Sequence, residues 1–248
     1  MKKSSGEFGK LVKNYKTTRP GYPSKVIKDI YTLITSESPK ILDLGCGTGI
    51  STRQLARKGS VVIGCDVDTD MLANASPGKH KNIEYVRGDA EKLPFKDQTF
   101  DAITMFTSFH WFTTKKAINE IKRVLKPSGI ICIVQPRYKS PFRRDMRKII
   151  NQTLKLGIQP KYGKRDFLEF LSEYKFIVTR KKTYKTVNKY SLGQFLKLLQ
   201  SISTWSYVPA LKRKGVLKIL RGHYKGFLKN NVIHDPVDIQ LICAKRLK

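Results

Sequence analysis

One stretch, Ile41-Leu42-Asp43-Leu44-Gly45-Cys46-Gly47-Thr48-Gly49, runs from apolar residues into three alternating glycines. Glycine permits positive φ and lets a backbone approach a ligand closely. A helix beginning after such a turn presents N–H groups that lack intrahelical partners. Two further carboxylates occupy comparable places downstream. Asp66 closes the run Val61-Val62-Ile63-Gly64-Cys65, where it can accept from both hydroxyls of a ribose. Asp89 follows Ile83-Glu84-Tyr85-Val86-Arg87-Gly88, where it can accept from an adenine amino group while the Ala90 N–H meets the ring. Each acid alone reads as an N-cap or a loop carboxylate. Three of them, ending three successive strands after a glycine loop, describe a ligand crevice at the carboxyl ends of a sheet. The spacing departs from the dinucleotide fingerprint G-x-G-x-x-G, because Ile50 stands where its last glycine should be.

Such a crevice requires parallel strands alternating with helices. Strands are expected at 41–44, 61–65, 83–86, 100–106 and 130–134, with helices at 51–58, 68–75 and 115–125 between them. Continuous apolar strands separated by helices indicate a sheet covered on both faces. Lys126-Pro127-Ser128-Gly129 reads as a turn before the fifth strand. Upstream, Phe8, Leu11, Val12 and Tyr15 share one helical face. Arg19-Pro20-Gly21-Tyr22-Pro23 must then leave the helix, and Ser24 is expected to cap a second one carrying Val26, Ile27, Ile30, Tyr31 and Ile34. In the second half, helices are expected at 141–156, 166–174, 191–202 and 211–228, and strands at 176–187 and 237–244.

The 248 residues include 49 lysines and arginines against 19 acids, a formal charge of +30. Residues 1–134 carry 22 basic and 13 acidic side chains, and residues 135–248 carry 27 and 6. Either a lysine-rich solvated surface or an anionic partner accounts for this excess. No apolar h-region follows Met1-Lys2-Lys3, and the longest apolar stretch, Ile130–Val134, is far too short to span a bilayer. Cys46, Cys65, Cys132 and Cys243 are isolated, so they read as buried thiols of a cytoplasmic protein, with no metal site.

Taken together, these segments resemble the class I S-adenosylmethionine-dependent methyltransferases. Asp43–Gly49 matches the glycine-rich motif of that family and Asp66 its ribose-binding acid. Gly88-Asp89-Ala90-Glu91-Lys92-Leu93-Pro94-Phe95 resembles its adenine-side segment. Phe100-Asp101-Ala102-Ile103 and Leu125-Lys126-Pro127-Ser128-Gly129 resemble its fourth strand and the following turn, so the likeness spans about residues 38–136. Tyr15, Arg19-Pro20-Gly21-Tyr22-Pro23 and Ser108-Phe109-His110-Trp111-Phe112 are similar to the methyltransferase type 11, trans-aconitate methyltransferase-like branch.

The resemblance implies an α/β fold: a Rossmann-like, doubly wound, seven-stranded sheet, mostly parallel with an antiparallel last strand. It implies a helical N-terminal lid (1–37), a cofactor-binding core (38–137), acceptor-side helices with the sixth strand and a small cap (138–236), and the last core strand (237–248). S-adenosyl-L-methionine, leaving as S-adenosyl-L-homocysteine, would be held by Tyr15, Arg19, Asp43, Gly45, Cys46, Gly47, Thr48, Gly49, Asp66, Val67, Met71, Asp89, Ala90, Phe106 and Thr107. Methyl transfer from a sulfonium is an in-line displacement, so the protein mainly aligns the reactants. His110, after the fourth strand, is the acid/base candidate, with a packing pair His110-Trp111 as the other reading.

The expected acceptor is a small molecule, acidic or partly apolar. It would bind between the sheet top and the cap, near Arg143, Arg144, Arg147, Trp205 and Tyr207. No membrane span is expected, and the chain should act as a monomer or dimer. Two other functions compete: an RNA methyltransferase using the basic second half as its nucleic-acid surface, and a non-catalytic cofactor-binding protein. An Asn-Pro-Pro-Tyr sequence after strand four, a Pro-Cys dipeptide and a glutamate pair around strand four are all absent. Adenine N-methylation, pyrimidine C5 methylation and protein arginine methylation are accordingly disfavoured.

Overall fold

The computed structural model describes residues 18–57, 59–76, 78–159 and 167–246. The elements appear in the order α1 (Ser24–Tyr31), β1 (Lys40–Leu44), α2 (Ile50–Leu55), β2 (Val61–Asp66), α3 (Thr69–Ala73), β3 (Ile83–Arg87) and β4 (Phe100–Phe106). They continue with α4 (Lys115–Val124), β5 (Leu125–Tyr138), α5 (Phe142–Leu154), α6 (Phe167–Glu173), β6 (Phe176–Tyr190), α7 (Leu192–Gln200), α8 (Arg213–Lys225) and β7 (Ile233–Arg246). One seven-stranded sheet has the order β3-β2-β1-β4-β5-β7-β6. β1 pairs in parallel with β2 and β4, β2 with β3, and β4 with β5. Cys132 faces Cys243, and the Lys139 N–H donates to the Pro236 carbonyl, so partners move in opposite directions along β5 and β7. The sheet is therefore the mixed, doubly wound type expected from the motifs.

The chain divides into two units. The larger takes residues 21–136, 167–184 and 239–246 of the described chain. Its strands β1, β2 and β4 are almost wholly buried, which explains their continuous apolar composition. Leu42, Leu44, Ile103, Met105, Ile131 and Ile133 pack with Ala117, Ile118, Ile121 and Val124 of α4 and with Phe170 and Leu171 of α6. The smaller unit takes described residues 18–20, 137–159 and 185–238. It has its own core, in which Phe142 of α5, Phe195 of α7 and Tyr224 of α8 meet edge to face at 5.1–5.8 Å. Strands β5, β6 and β7 each run from one unit into the other along the chain.

Three local expectations change. Ser24 is the first helical residue of α1, not its cap: Pro23 holds the cap position with φ −54°, and no side chain caps the helix. Residues 126–129 do not separate α4 from a short strand. Leu125 pairs with Phe100 and Ile130 with Ala102, so four residues bulge opposite Asp101. Asp101 closes this bulge by accepting from Lys126 Nζ at 2.8 Å and from the Lys40 N–H at 2.9 Å. The sixth strand reaches Tyr190, and the last begins at Ile233. The helix expected around Phe8–Tyr15, including Tyr15 itself, lies outside the described residues. Among the described residues no helix is long and apolar enough to cross a membrane.

Candidate active site

The glycine turn lies against the ends of neighbouring strands. The Gly45 and Cys46 N–H groups both donate to the Cys65 carbonyl, at 2.8 and 3.2 Å. Gly45 has φ +71°, and a Cβ there would lie 2.6 Å from Ser108 Cβ. Gly49 has φ +75°, and a Cβ there would meet the Tyr85 hydroxyl at 2.0 Å. Both positions thus combine a left-handed backbone with a closed space, so glycine is required. Gly47 differs: the nearest atom to a Cβ there would be Met71 Sδ at 4.0 Å. The turn is tight at its two ends and open at its middle.

Asp43 is fully buried beneath this turn. Ser51 and Thr52 hydroxyls each donate to its Oδ2 at 2.7 Å, and the Thr104 hydroxyl donates to its Oδ1 at 3.1 Å. Burial raises its carboxyl to about 6, against the partial relief of those three hydroxyls. Asp43 therefore ties β1, α2 and β4 together from behind the loop.

Asp66 stands at the carboxyl end of β2. Its Oδ2 accepts the Gly47 N–H at 2.8 Å and its Oδ1 the Asp68 N–H at 3.0 Å. The Val67 N–H is a third backbone donor to this carboxylate. Burial raises its pKa, and those backbone donors lower it. Asp68 caps α3 by accepting from the Asp70 and Met71 N–H groups, while its buried Oδ2 has no partner. The Thr48 hydroxyl, also buried, has none either. Asp89 is exposed and accepts the Glu91 N–H at 2.9 Å, beside a nearly buried Ala90. Asp66 and Asp89 both act on the Cys65 thiol, which burial first and these charges second push up to about 12.

Val67 is 47% exposed next to Asp66, whereas Met71 and Cys46 are buried. Beyond β4, Thr107 has φ +58°, and its hydroxyl is hydrogen-bonded to Tyr22 Oη at 2.8 Å. The Tyr22 ring lies 4.6 Å from the Phe106 ring. Gln54 of α2 fixes the same segment by accepting the Tyr22 N–H and donating to the Tyr22 carbonyl, both at 2.8 Å. His110 sits in a short 3-10 turn, Phe109–Trp111, with its ring 5.0 Å from that of Trp111. Burial lowers its imidazole to about 4.

The larger unit thus brings together Asp43, the glycine turn, Asp66 and Met71, and separately Tyr22, Phe106 and Thr107. Arg19 belongs to the smaller unit, near Arg143 and Tyr190. Of the proposed rim residues, Trp205 is core (3% exposed) and Arg144 is exposed. Sequence reasoning missed Ser51, Thr52 and Thr104 as the hydroxyl cage, Gln54 as a clamp, and Tyr85 as the floor under Gly49. Only Ser51 and Thr52 had a signal, as adjacent hydroxyls directly after the loop.

Residues 42–133 match the family model described as a methyltransferase domain. This segment is similar to that family. The chain is 41% identical over 97 residues to a demethylmenaquinone methyltransferase of Corynebacterium kroppenstedtii, covering 39% of this chain and 41% of that protein. The chain thus spans about two fifths of that relative's length. An uncharacterized methyltransferase of Schizosaccharomyces pombe is 26% identical over 211 residues, 82% of this chain and 81% of that one. The YcgJ protein of Bacillus subtilis shares the fold, with a TM-score of 0.59 at 20% identity over 91% of this chain and all of that one. The matched residues 42–133 contain the glycine turn, Asp66 and Asp89.

Proposed function

We propose that this chain is an S-adenosylmethionine-dependent methyltransferase acting on a small-molecule acceptor. The observation that carries this reading is the Asp66 carboxylate, hydrogen-bonded to Gly47 in a turn whose middle is open. The residues present fit the cofactor: an acceptor carboxylate at Asp66 at the end of β2, two buried oxygens without partners at Thr48 and Asp68, and a glycine turn with space at Gly47. When bound, the cofactor supplies a methyl group already activated on sulfur. Asp66 would hold the ribose hydroxyls, and Asp89 with the Ala90 N–H would take the adenine edge. Asp43 keeps the turn in place without touching the ligand.

His110 has a specific place in this reading. An imidazole lowered to about 4 is neutral at pH 7 and a weak base there. It suits orienting an acceptor by hydrogen bonding better than removing a proton from a poor nucleophile. An acceptor atom that is already nucleophilic at neutral pH, such as a carboxylate oxygen, matches that environment.

The test is calorimetric titration with S-adenosylhomocysteine, followed by transfer of a radiolabelled methyl group to a small-molecule extract and to RNA in parallel. We expect cofactor-product binding, and label in the small-molecule fraction. Absence of binding, or label confined to RNA, overturns the reading.

A further inference from the structure

Residues 185–234, all in the smaller unit, contain ten lysines and arginines and no aspartate or glutamate. In α8, Val216, Leu220 and Tyr224 face the core of that unit. Lys214, Lys218, Arg221 and Lys225 recur at steps of four, three and four residues, so they form a stripe along an exposed face of the same helix. Leu211 precedes Lys214 by three residues, in the 3-10 turn Ala210–Lys212, and so stands at the head of this stripe. Its side chain is 99% exposed. Beside the stripe, an open groove between α7 and α8 is lined by Lys197, Lys214, Lys218 and Arg221 and by the aliphatic Leu196 and Leu217. The cations at 197, 214, 218, 221 and 225 form no ion pair and no side-chain hydrogen bond among the described residues.

Five such cations around one groove attract any polyanion. Charge alone does not choose among nucleic acid, an acidic protein and anionic lipid. Leu211 does. A phosphodiester chain gives a lone aliphatic side chain nothing to bury against, and no aromatic residue lines the groove for bases to stack on. An acidic protein would need an apolar pocket at one particular point. An anionic bilayer meets both features without a matching pocket, with phosphates at the cations and the leucine at the acyl boundary. The apolar face of α8 is taken up by the core, so the helix cannot lie in lipid on that face. The contact is electrostatic, with one apolar anchor.

We propose that this face of the smaller unit, Leu211 with Lys197, Lys214, Lys218, Arg221 and Lys225, docks on an anionic phospholipid surface. The surface is independent of the methyltransferase reading, and its test uses no cofactor.

The experiment is flotation of the full chain with vesicles of phosphatidylcholine alone, or with about one third phosphatidylglycerol, at about 0.1 M salt. The chain should float with the anionic vesicles only, and about 0.5 M salt should release it. Each lysine or arginine near such a surface adds roughly fivefold. Lys214→Gln, Lys218→Gln, Arg221→Gln and Lys225→Gln together should therefore weaken binding by about a hundredfold or more. The same charge removed from the larger unit, by Lys25→Gln, Lys28→Gln, Lys79→Gln and Lys81→Gln, should change it by less than about threefold. Leu211→Ser should weaken vesicle binding about fivefold and leave binding to poly(U) RNA unchanged. No flotation, equal flotation with neutral vesicles, or wild-type vesicle binding in Leu211→Ser overturns the proposal. An equal loss from the two fourfold variants also overturns it, because diffuse charge then suffices. Poly(U) or poly-L-glutamate binding tighter than the anionic vesicles assigns the face to nucleic acid or to an acidic protein instead. Circular dichroism checks that each variant is native, and Leu211→Ser with the salt series decides the matter if a fourfold variant does not fold.

Discussion

The Asp66 carboxylate accepts the Gly47 N–H at 2.8 Å, so the end of the second strand and the middle of the glycine turn are held as one piece. A residue expected to bind ligand thereby also positions the loop that lies over it. Removing the carboxylate should cost twice, once in ligand hydrogen bonds and once in loop order. Hydrogen bonds to a charged group are worth ~1.5–3 kcal/mol each, and ~1.4 kcal/mol is tenfold in affinity. Asp66→Ala should therefore weaken S-adenosylhomocysteine by about two orders of magnitude, and Asp66→Asn, which keeps one acceptor, by about tenfold. Calorimetry measures the affinities, and amide exchange at residues 45–49 should accelerate in the alanine variant without ligand. Wild-type affinity in Asp66→Ala would show that Asp66 serves the loop only.

The central strands were legible because burial on both faces demands unbroken apolar runs, and β1, β2 and β4 show them directly. Glycines at 45 and 49 were legible because the turn between strand and helix admits few other residues. The cage around Asp43 was not. Ser51 and Thr52 are near in sequence, but Thr104 arrives from β4, and nothing local marks a hydroxyl that pairs across 61 residues. Tyr85 was hidden for the same reason, since it packs beneath Gly49 from a neighbouring strand. The span of β5 was misread because proline and glycine at 127 and 129 signal a turn, whereas Asp101 absorbs them as a bulge.

His110 should stay neutral across the physiological range. Its imidazole is lowered to about 4 by burial, so the folded chain resists protonation that the unfolded chain accepts near 6.5. The sign follows: stability from this group is complete above about 6.5 and is lost as pH falls towards 4. Nuclear magnetic resonance of ring-labelled histidine, assigned with His110→Gln, should show no titration of His110 between pH 5.5 and 8, within about a unit. Methyl transfer should likewise show no inflection near 6.5 arising from this residue. A midpoint between 6 and 7 would instead make it a competent general base.

Asp43 gives the opposite pH signature from an ordinary salt-bridged acid. Its carboxyl is raised from 3.8 to about 6 by burial, although three hydroxyls donate to it. Between those values the unfolded chain releases the proton and the folded chain keeps it. Stability from this group therefore falls as pH rises from about 4 to about 6, and is constant above. Two units at ~1.4 kcal/mol each set the full effect at about 3 kcal/mol. Asp43→Asn cannot ionise, so its urea-unfolding free energy relative to wild type should become more favourable by up to that amount between pH 4 and 7. Subtracting the two curves cancels every other titrating group. A flat difference would mean that Asp43 ionises without penalty, its three hydroxyl donors offsetting the loss of water in full.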